Sequence, residues 1–309
     1  MFMLPNLPSP QAETHELADF AELVSWECGI ASQRDIVAYL GRIEDNEYNV
    51  GCDDDDDRNS EILDEVMNEI DRRAAACDGG YPFSLNKQGT VVRFDSGRED
   101  AKSIVYKYLL LSTRLNMKSN RSHAGLDGTL LLEELGANAL RNYLGPERAN
   151  SLVFGTAAKG NFEDKVKLLC DTLREGSGFR NIDEGTVPRA NDDKLDTVAW
   201  VPFADKLPSQ LIIFCQCKTG TNWTGQVAQL QPDAFMNRWM REPILSKPIR
   251  AFCVSESADR SKWKSTCINA GLFFDRCRLV DFCNIVEAGL LERIKVWTIA
   301  AKETVTIAN

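Results

Sequence analysis

The chain has 309 residues, of which 43% are apolar and 27% charged, and a net charge of -10. No run of about 18 apolar residues occurs, which excludes an ordinary membrane-spanning helix. The acidic balance argues against coating nucleic acid through bulk charge, because phosphate binding uses Lys and Arg. Ten cysteines are too dilute for a disulfide scaffold, and with only two histidines, His15 and His123, a histidine base has few candidates, so carboxylates, lysine or a metal are weighed first. The start "MFMLPNLPSP" lacks a signal peptide's basic and apolar segments, and the expectation is a cytoplasmic protein.

The negative charge is concentrated in residues 1–150, while 151–309 has a slight basic excess. In the acidic half, helical patterns span Glu16 to Trp26 and "RDIVAYLGRIE". Asp53 to Asp57 lack the alternating ligands and central Gly of a calcium loop. They read as a solvated loop before the helix "SEILDEVMNEIDRRAAA", with Ser60 as its cap. "YPFSLNKQGTVVRF" reads as two strands joined by a turn at Asn86 to Gly89, and helices follow near 100–113 and 127–144. This inventory is compatible with a winged-helix-like module. The Gly-rich stretch 142–161 reads as a junction, giving an acidic, mainly α-helical domain over 1–150 with a regulatory or partner-binding role, and a second domain over 155–309.

The second half predicts helix (162–175), strands (195–201 and 211–218), helix (224–240), strand (249–255), helix (259–270), strand (277–282) and a final helix, an α/β pattern. Alternation along "LIIFCQCKTG" places Phe214, Gln216 and Lys218 on one face, and Ile213, Cys215 and Cys217 on the other. The two cysteines then belong to the core, since a structural zinc needs four ligands and no partner C-x-x-C exists. Asp196 shares a face with Val198 and Trp200, where a carboxylate is costly unless it is paired or holds a cation. A hairpin through "PFADKLPSQ" brings Asp196 beside Gln216 and Lys218. Upstream, Phe162, Val166, Leu169 and Leu173 form an apolar helical stripe. Glu163 lies at its margin, either as a surface i,i+4 pair with Lys167 or as a fourth member of the cluster.

The order "GNFE", "LDTVAW" and "CQCKTG" resembles the PD-(D/E)xK nuclease superfamily, in the Q-x-K variant of Mrr-like restriction enzymes. The likeness covers roughly 155–285. It implies an α/β restriction-endonuclease-like core, a mixed sheet flanked by helices. It further implies an Mg²⁺- or Mn²⁺-dependent endonuclease that hydrolyses phosphodiester bonds, in DNA more readily than RNA. Catalysis would fall to Glu163, Asp196, Gln216 and Lys218. Asp196, Gln216 and Glu163 would hold the metal, and Lys218 would orient the attacking water. Gln226 and Gln229 would lie near the substrate strand. The resemblance also brings a role in restriction or antiviral phage defence and an ATPase or helicase partner, and a homo-oligomer is expected because cutting both strands of a duplex is simplest with two sites related by a two-fold axis. Two alternatives stand beside it: an inactive nuclease-like scaffold serving as an interaction or DNA-binding subunit, and an RNA nuclease. Trp223, Trp239 and Trp263 are expected in the core or an interface rather than as base-stacking platforms.

Overall fold

A computed structural model of the protein describes residues 2–3, 12–36, 54–180 and 193–306. Strand β1 (Phe2–Met3) pairs in parallel with the final strand, β12 (Val305–Thr306). Helix α1 (Thr14–Cys28) starts in a reciprocal cap between Glu13 and Glu16, and stops at Gly29, whose φ of 84° is left-handed. Strand β2 (Ile30–Ser32) follows, then α2 (Asp54–Ala76). Strands β3 (Phe83–Leu85) and β4 (Val91–Phe94) form the expected hairpin, with Asn86 Oδ1 accepting from the backbone of Thr90 and Val91. These strands pair in the order β2–β4–β3, antiparallel throughout.

Helix α2 begins earlier than its sequence suggests. Asp54 to Asp57 form its first turn rather than a loop ending at Ser60. Asp53 and most of "RDIVAYLGRIE" lie outside the described residues. Helix α3 (Ala101–Arg114) is capped by Asp100. A small hairpin of β5 (Ser122–His123) and β6 (Leu126–Asp127) leads into α4 (Gly128–Leu144), capped by Asp127.

The stretch read as a junction contains β7 (Asn150–Val153). After it come α5 (Phe162–Leu173), β8 (Thr197–Val201), β9 (Leu211–Lys218), α6 (Pro232–Trp239), β10 (Ile249–Val254), α7 (Trp263–Ala270), β11 (Leu272–Phe274), α8 (Arg276–Asp281) and α9 (Ala288–Lys302). The expected helix over 224–240 is split into a 3-10 turn at Thr224–Gln226 and α6, because Pro232 is tolerated at a helix start and not inside one. The expected strand over 277–282 is α8. Asp275 caps it by accepting from Arg278 N, and the run is too short for periodicity to distinguish strand from helix.

The five-stranded sheet is mixed, in the order β11–β10–β9–β8–β7. Strand β8 runs antiparallel to β7 and β9, and β9, β10 and β11 run parallel. Val198, Trp200, Ile212 and Phe214 face α5 and α6, packing on Phe162, Val166, Leu169 and Phe235. Ala199, Ile213, Cys215 and Ala251 face the other way, and their core continues through Leu131 and Leu135 of α4 to Leu109 of α3 and Leu23 of α1. Helix α4, which lies before residue 150, therefore covers β7, β8 and β9.

A buried ion network also spans the chain. Asp19 of α1 accepts from Arg276 of α8 at 2.7 and 2.8 Å, from Arg73 of α2 at 2.7 Å and from Arg114 of α3 at 2.6 Å. Burial opposes the charge of Asp19, but the guanidiniums of Arg276, Arg114 and Arg73 outweigh it and hold the carboxyl well below its usual range. No helix among the described residues is long and apolar enough to cross a membrane.

Candidate functional site

Asp196 stands at the start of β8, where the backbone changes partners. Its carbonyl accepts from Phe154 N and Gly155 N, both at 2.8 Å, and its own N–H donates to Cys215 O at 2.9 Å. The register pairs Thr197 with Cys215, so Asp196 falls opposite Gln216 and on the same face. The Asp196 side chain is 4% exposed, and its Oδ2 accepts from Cys217 N at 2.7 Å. One carboxylate oxygen thus continues the ladder where β8 and β9 diverge.

Gln216 is fully buried, and neither its Oε1 nor its Nε2 has a hydrogen-bond partner among the described residues. A buried amide left in this state costs about 1–3 kcal/mol, so its presence calls for an explanation beyond packing. Lys218 is two residues on, at the partly exposed end of the strand.

The second carboxylate comes from α4. Glu133 is 7% exposed, and its two oxygens accept from Thr156 Oγ1 at 2.6 Å and Ala157 N at 2.8 Å. Between the two acids sits Gly155. A Cβ at that position would lie 2.6 Å from Glu133 Oε2 and 3.0 Å from Asp196 Oδ1, so the missing side chain is what lets both carboxylates close on one point. Lys165 of α5 is also buried, and its ammonium donates to Gly155 O at 2.6 Å, which brings a cation to the edge of the acidic pair.

Glu163 stands apart. It is half-exposed and pairs with Lys167 at 2.6 Å, the surface i,i+4 arrangement. The reason is rotational: α5 buries Phe162, Lys165, Val166 and Leu169, and Glu163 lies off that stripe. The carboxylate beside Asp196 is Glu133, which lies before the expected domain boundary. Its one sequence signal is "LLEELGANAL", two adjacent acids in an apolar helix. Of these, Glu134 pairs at the rim with Arg293, leaving Glu133 as the acid on the covered side. Gln226 closes a 3-10 turn and bonds back to Asn222 O at 2.7 Å, and Gln229 is exposed in the segment that follows. Trp223 and Trp239 are buried as expected, and Trp263 lies between the guanidiniums of Arg260 and Arg278 at 4.1 and 4.6 Å.

Two carboxylates and an amide carbonyl are hard oxygen donors, the type that Mg²⁺ and Mn²⁺ select. Glu133 and Asp196, drawn together across Gly155, and Gln216, opposite Asp196 on the same face of the sheet, are the donors that would hold such an ion. In comparisons with known proteins, no family model, curated protein or solved structure matches the chain.

Proposed function

We propose that the protein is a metal-dependent nuclease of the PD-(D/E)xK type that hydrolyses phosphodiester bonds, with DNA as its substrate. The observation that carries the reading is the pairing of Asp196 with the buried Gln216 across the strands, Gln216 having no amide partner among the described residues, with Glu133 drawn toward Asp196 across Gly155 and Lys218 two residues further along β9. A mixed sheet between helices is in keeping with the restriction-endonuclease-like core that the motifs suggested.

In this reading Asp196 and Glu133 supply negative oxygens, and Gln216 a neutral one. An Mg²⁺ held there would polarise the phosphate and lower the pKa of a nucleophilic water. Lys218 orients that water and offsets charge on the phosphate as it becomes pentacoordinate. Lys165 holds the Gly155 carbonyl, and so fixes the loop on which the two acids converge. Glu163 has no role, which departs from the motif-based expectation. The acidic half, tied to the sheet through α4 and the Asp19–Arg276 pair, is a restraint on the nuclease or a dock for an ATPase-type partner.

Conversion of supercoiled plasmid to nicked and linear forms tests this. With Mg²⁺ or Mn²⁺ the wild type cuts, Asp196→Ala, Lys218→Ala and Glu133→Gln fall to background, and Glu163→Ala cuts as the wild type does. Equal cutting by Asp196→Ala and the wild type would falsify the assignment. No cutting by the wild type on DNA or RNA favours the second reading, an inactive scaffold, which the neutral Gln216 motivates.

A further inference from the structure

On the face of β9 turned away from Asp196 and Gln216, three cysteines meet under α4. Alternation places Cys215 and Cys217 on that face, and parallel pairing sets Cys253 of β10 beside Cys217. The three sulfurs lie within 4.8 Å of one another, and Cys215 Sγ is 3.4 Å from Cys253 Sγ. All three residues are buried.

Ordinary core cysteines pack as small hydrophobes among carbon atoms. These three pack on one another. Helix α4 passes over them at Gly136, where a Cβ would lie 2.8 Å from Cys217 Sγ and 3.8 Å from Cys253 Sγ, so the glycine leaves the sulfurs their volume. Among the described residues no fourth His, Cys, Asp or Glu joins the group. From the sequence, Cys215 and Cys217 lacked ligand partners. Strand pairing supplies a third sulfur from a residue 36 positions beyond Cys217.

We infer that Cys215, Cys217 and Cys253 form a three-coordinate site for a soft, thiophilic cation, with Cu(I) the best match to the donor set. Structural zinc takes four ligands in a tetrahedron, and Mg²⁺ and Mn²⁺ take oxygen, whereas thiolates in an apolar setting select Cu(I). Binding balances simply. Each ligating thiol forms a sulfur–copper bond and releases its proton to solvent, and no electron moves when the ion enters as Cu(I). The burial of the site means that the ion enters as the chain folds. The site backs directly onto the acidic cluster, because the Cys217 N–H is the group that holds Asp196 Oδ2. An ion on Cys217 Sγ therefore steadies the backbone that positions Asp196. The assignment stands whether or not the protein is a nuclease.

The test is reconstitution of the full chain. The protein is unfolded under reductant and refolded without oxygen in the presence of a Cu(I)–acetonitrile complex, then passed over a Cu(I) chelator. The wild type retains one equivalent of copper, shows sulfur-to-copper absorption in the ultraviolet, and gives three sulfur neighbours by X-ray absorption. Cys217→Ala and Cys253→Ala lose the copper, and Cys267→Ala, outside the trio, keeps it. A folded wild type without stoichiometric copper overturns the inference, as does retention by both trio variants. If the trio variants do not refold, the wild-type neighbour count decides alone, and any nitrogen or oxygen ligand in place of the third sulfur overturns it.

Discussion

Replacing Gln216 with Met separates the packing role of this side chain from its chemical one. The two side chains have similar length and volume, so the swap leaves little cavity or strain. Gln216 is fully buried and neither amide atom has a partner among the described residues, and each such atom carries a desolvation cost that a thioether does not. In metal-free buffer, removing that cost stabilises the protein by about 1–3 kcal/mol. In a chain of this size, each kcal/mol raises the melting temperature by about 2–4 °C. The same change deletes a hard oxygen donor, so Mn²⁺ stabilises Gln216→Met less than the wild type, and metal-dependent plasmid cutting falls to background. Denaturant unfolding in EDTA and in excess Mn²⁺, run beside the nicking assay, reads all three quantities. A variant less stable than the wild type by about 1 kcal/mol or more in EDTA refutes the reasoning, because the amide would then have partners worth keeping. Gain of stability with loss of activity is the pattern expected where a binding site holds a group that folding alone disfavours.

Other outcomes follow from the same geometry. Gly155→Ala puts a methyl group 2.6 Å from Glu133 Oε2 and 3.0 Å from Asp196 Oδ1. It destabilises the fold by about 1–3 kcal/mol, and cutting drops further than that loss explains, as seen by comparing nicking rates with the folded fraction. Arg276→Met strips Asp19 of its bidentate partner and costs about 3–5 kcal/mol by chemical denaturation, since it leaves a buried carboxylate short of charge compensation. Acid stability follows from Glu69. Burial alone would raise its pKa, but the hydrogen bond from Arg72 and the charges of Arg73 and Arg72 prevail and set it at about 2. A folded-state value below the unfolded one contributes stability that is present above the ordinary carboxylate range. That contribution is lost as pH falls through it toward about 2. Glu69→Gln therefore flattens the fall in stability over this window in pH-dependent melts, and an unchanged slope removes Glu69 from the acid response.

Much of the sheet was legible because its strands announce themselves through local signals. The run Leu211 to Lys218 and the stretch before Val201 are short, nearly continuous apolar runs of the kind that a strand buried on both faces needs, and the side assignment of Gln216 against Cys215 and Cys217 required only that side chains alternate along a strand. Short elements were less legible. Asn150–Val153 carries no alternation strong enough to outweigh the glycines and proline that flank it, and "RCRLVD" is a helix that begins at the Asp275 cap. Glu163 drew attention through its neighbours in sequence, yet a turn of about 100° per residue on α5 carries it off the buried stripe, where Lys167 is its nearest cation.

Strand alternation, capping and charge, all local, were enough to place Asp196, Gln216 and Lys218 on one face and to give the halves their different charge. Which carboxylate joins Asp196, and which sulfur joins Cys215 and Cys217, was decided only by tertiary structure. Glu133 reaches the cluster because α4 lies across β7, β8 and β9 and because Gly155 has no side chain in the way. Cys253 reaches the thiols because β10 pairs with β9 in parallel register. Both contacts close long loops, and their existence depends on how helices and strands are docked, a global free-energy minimum that no local pattern in the chain encodes.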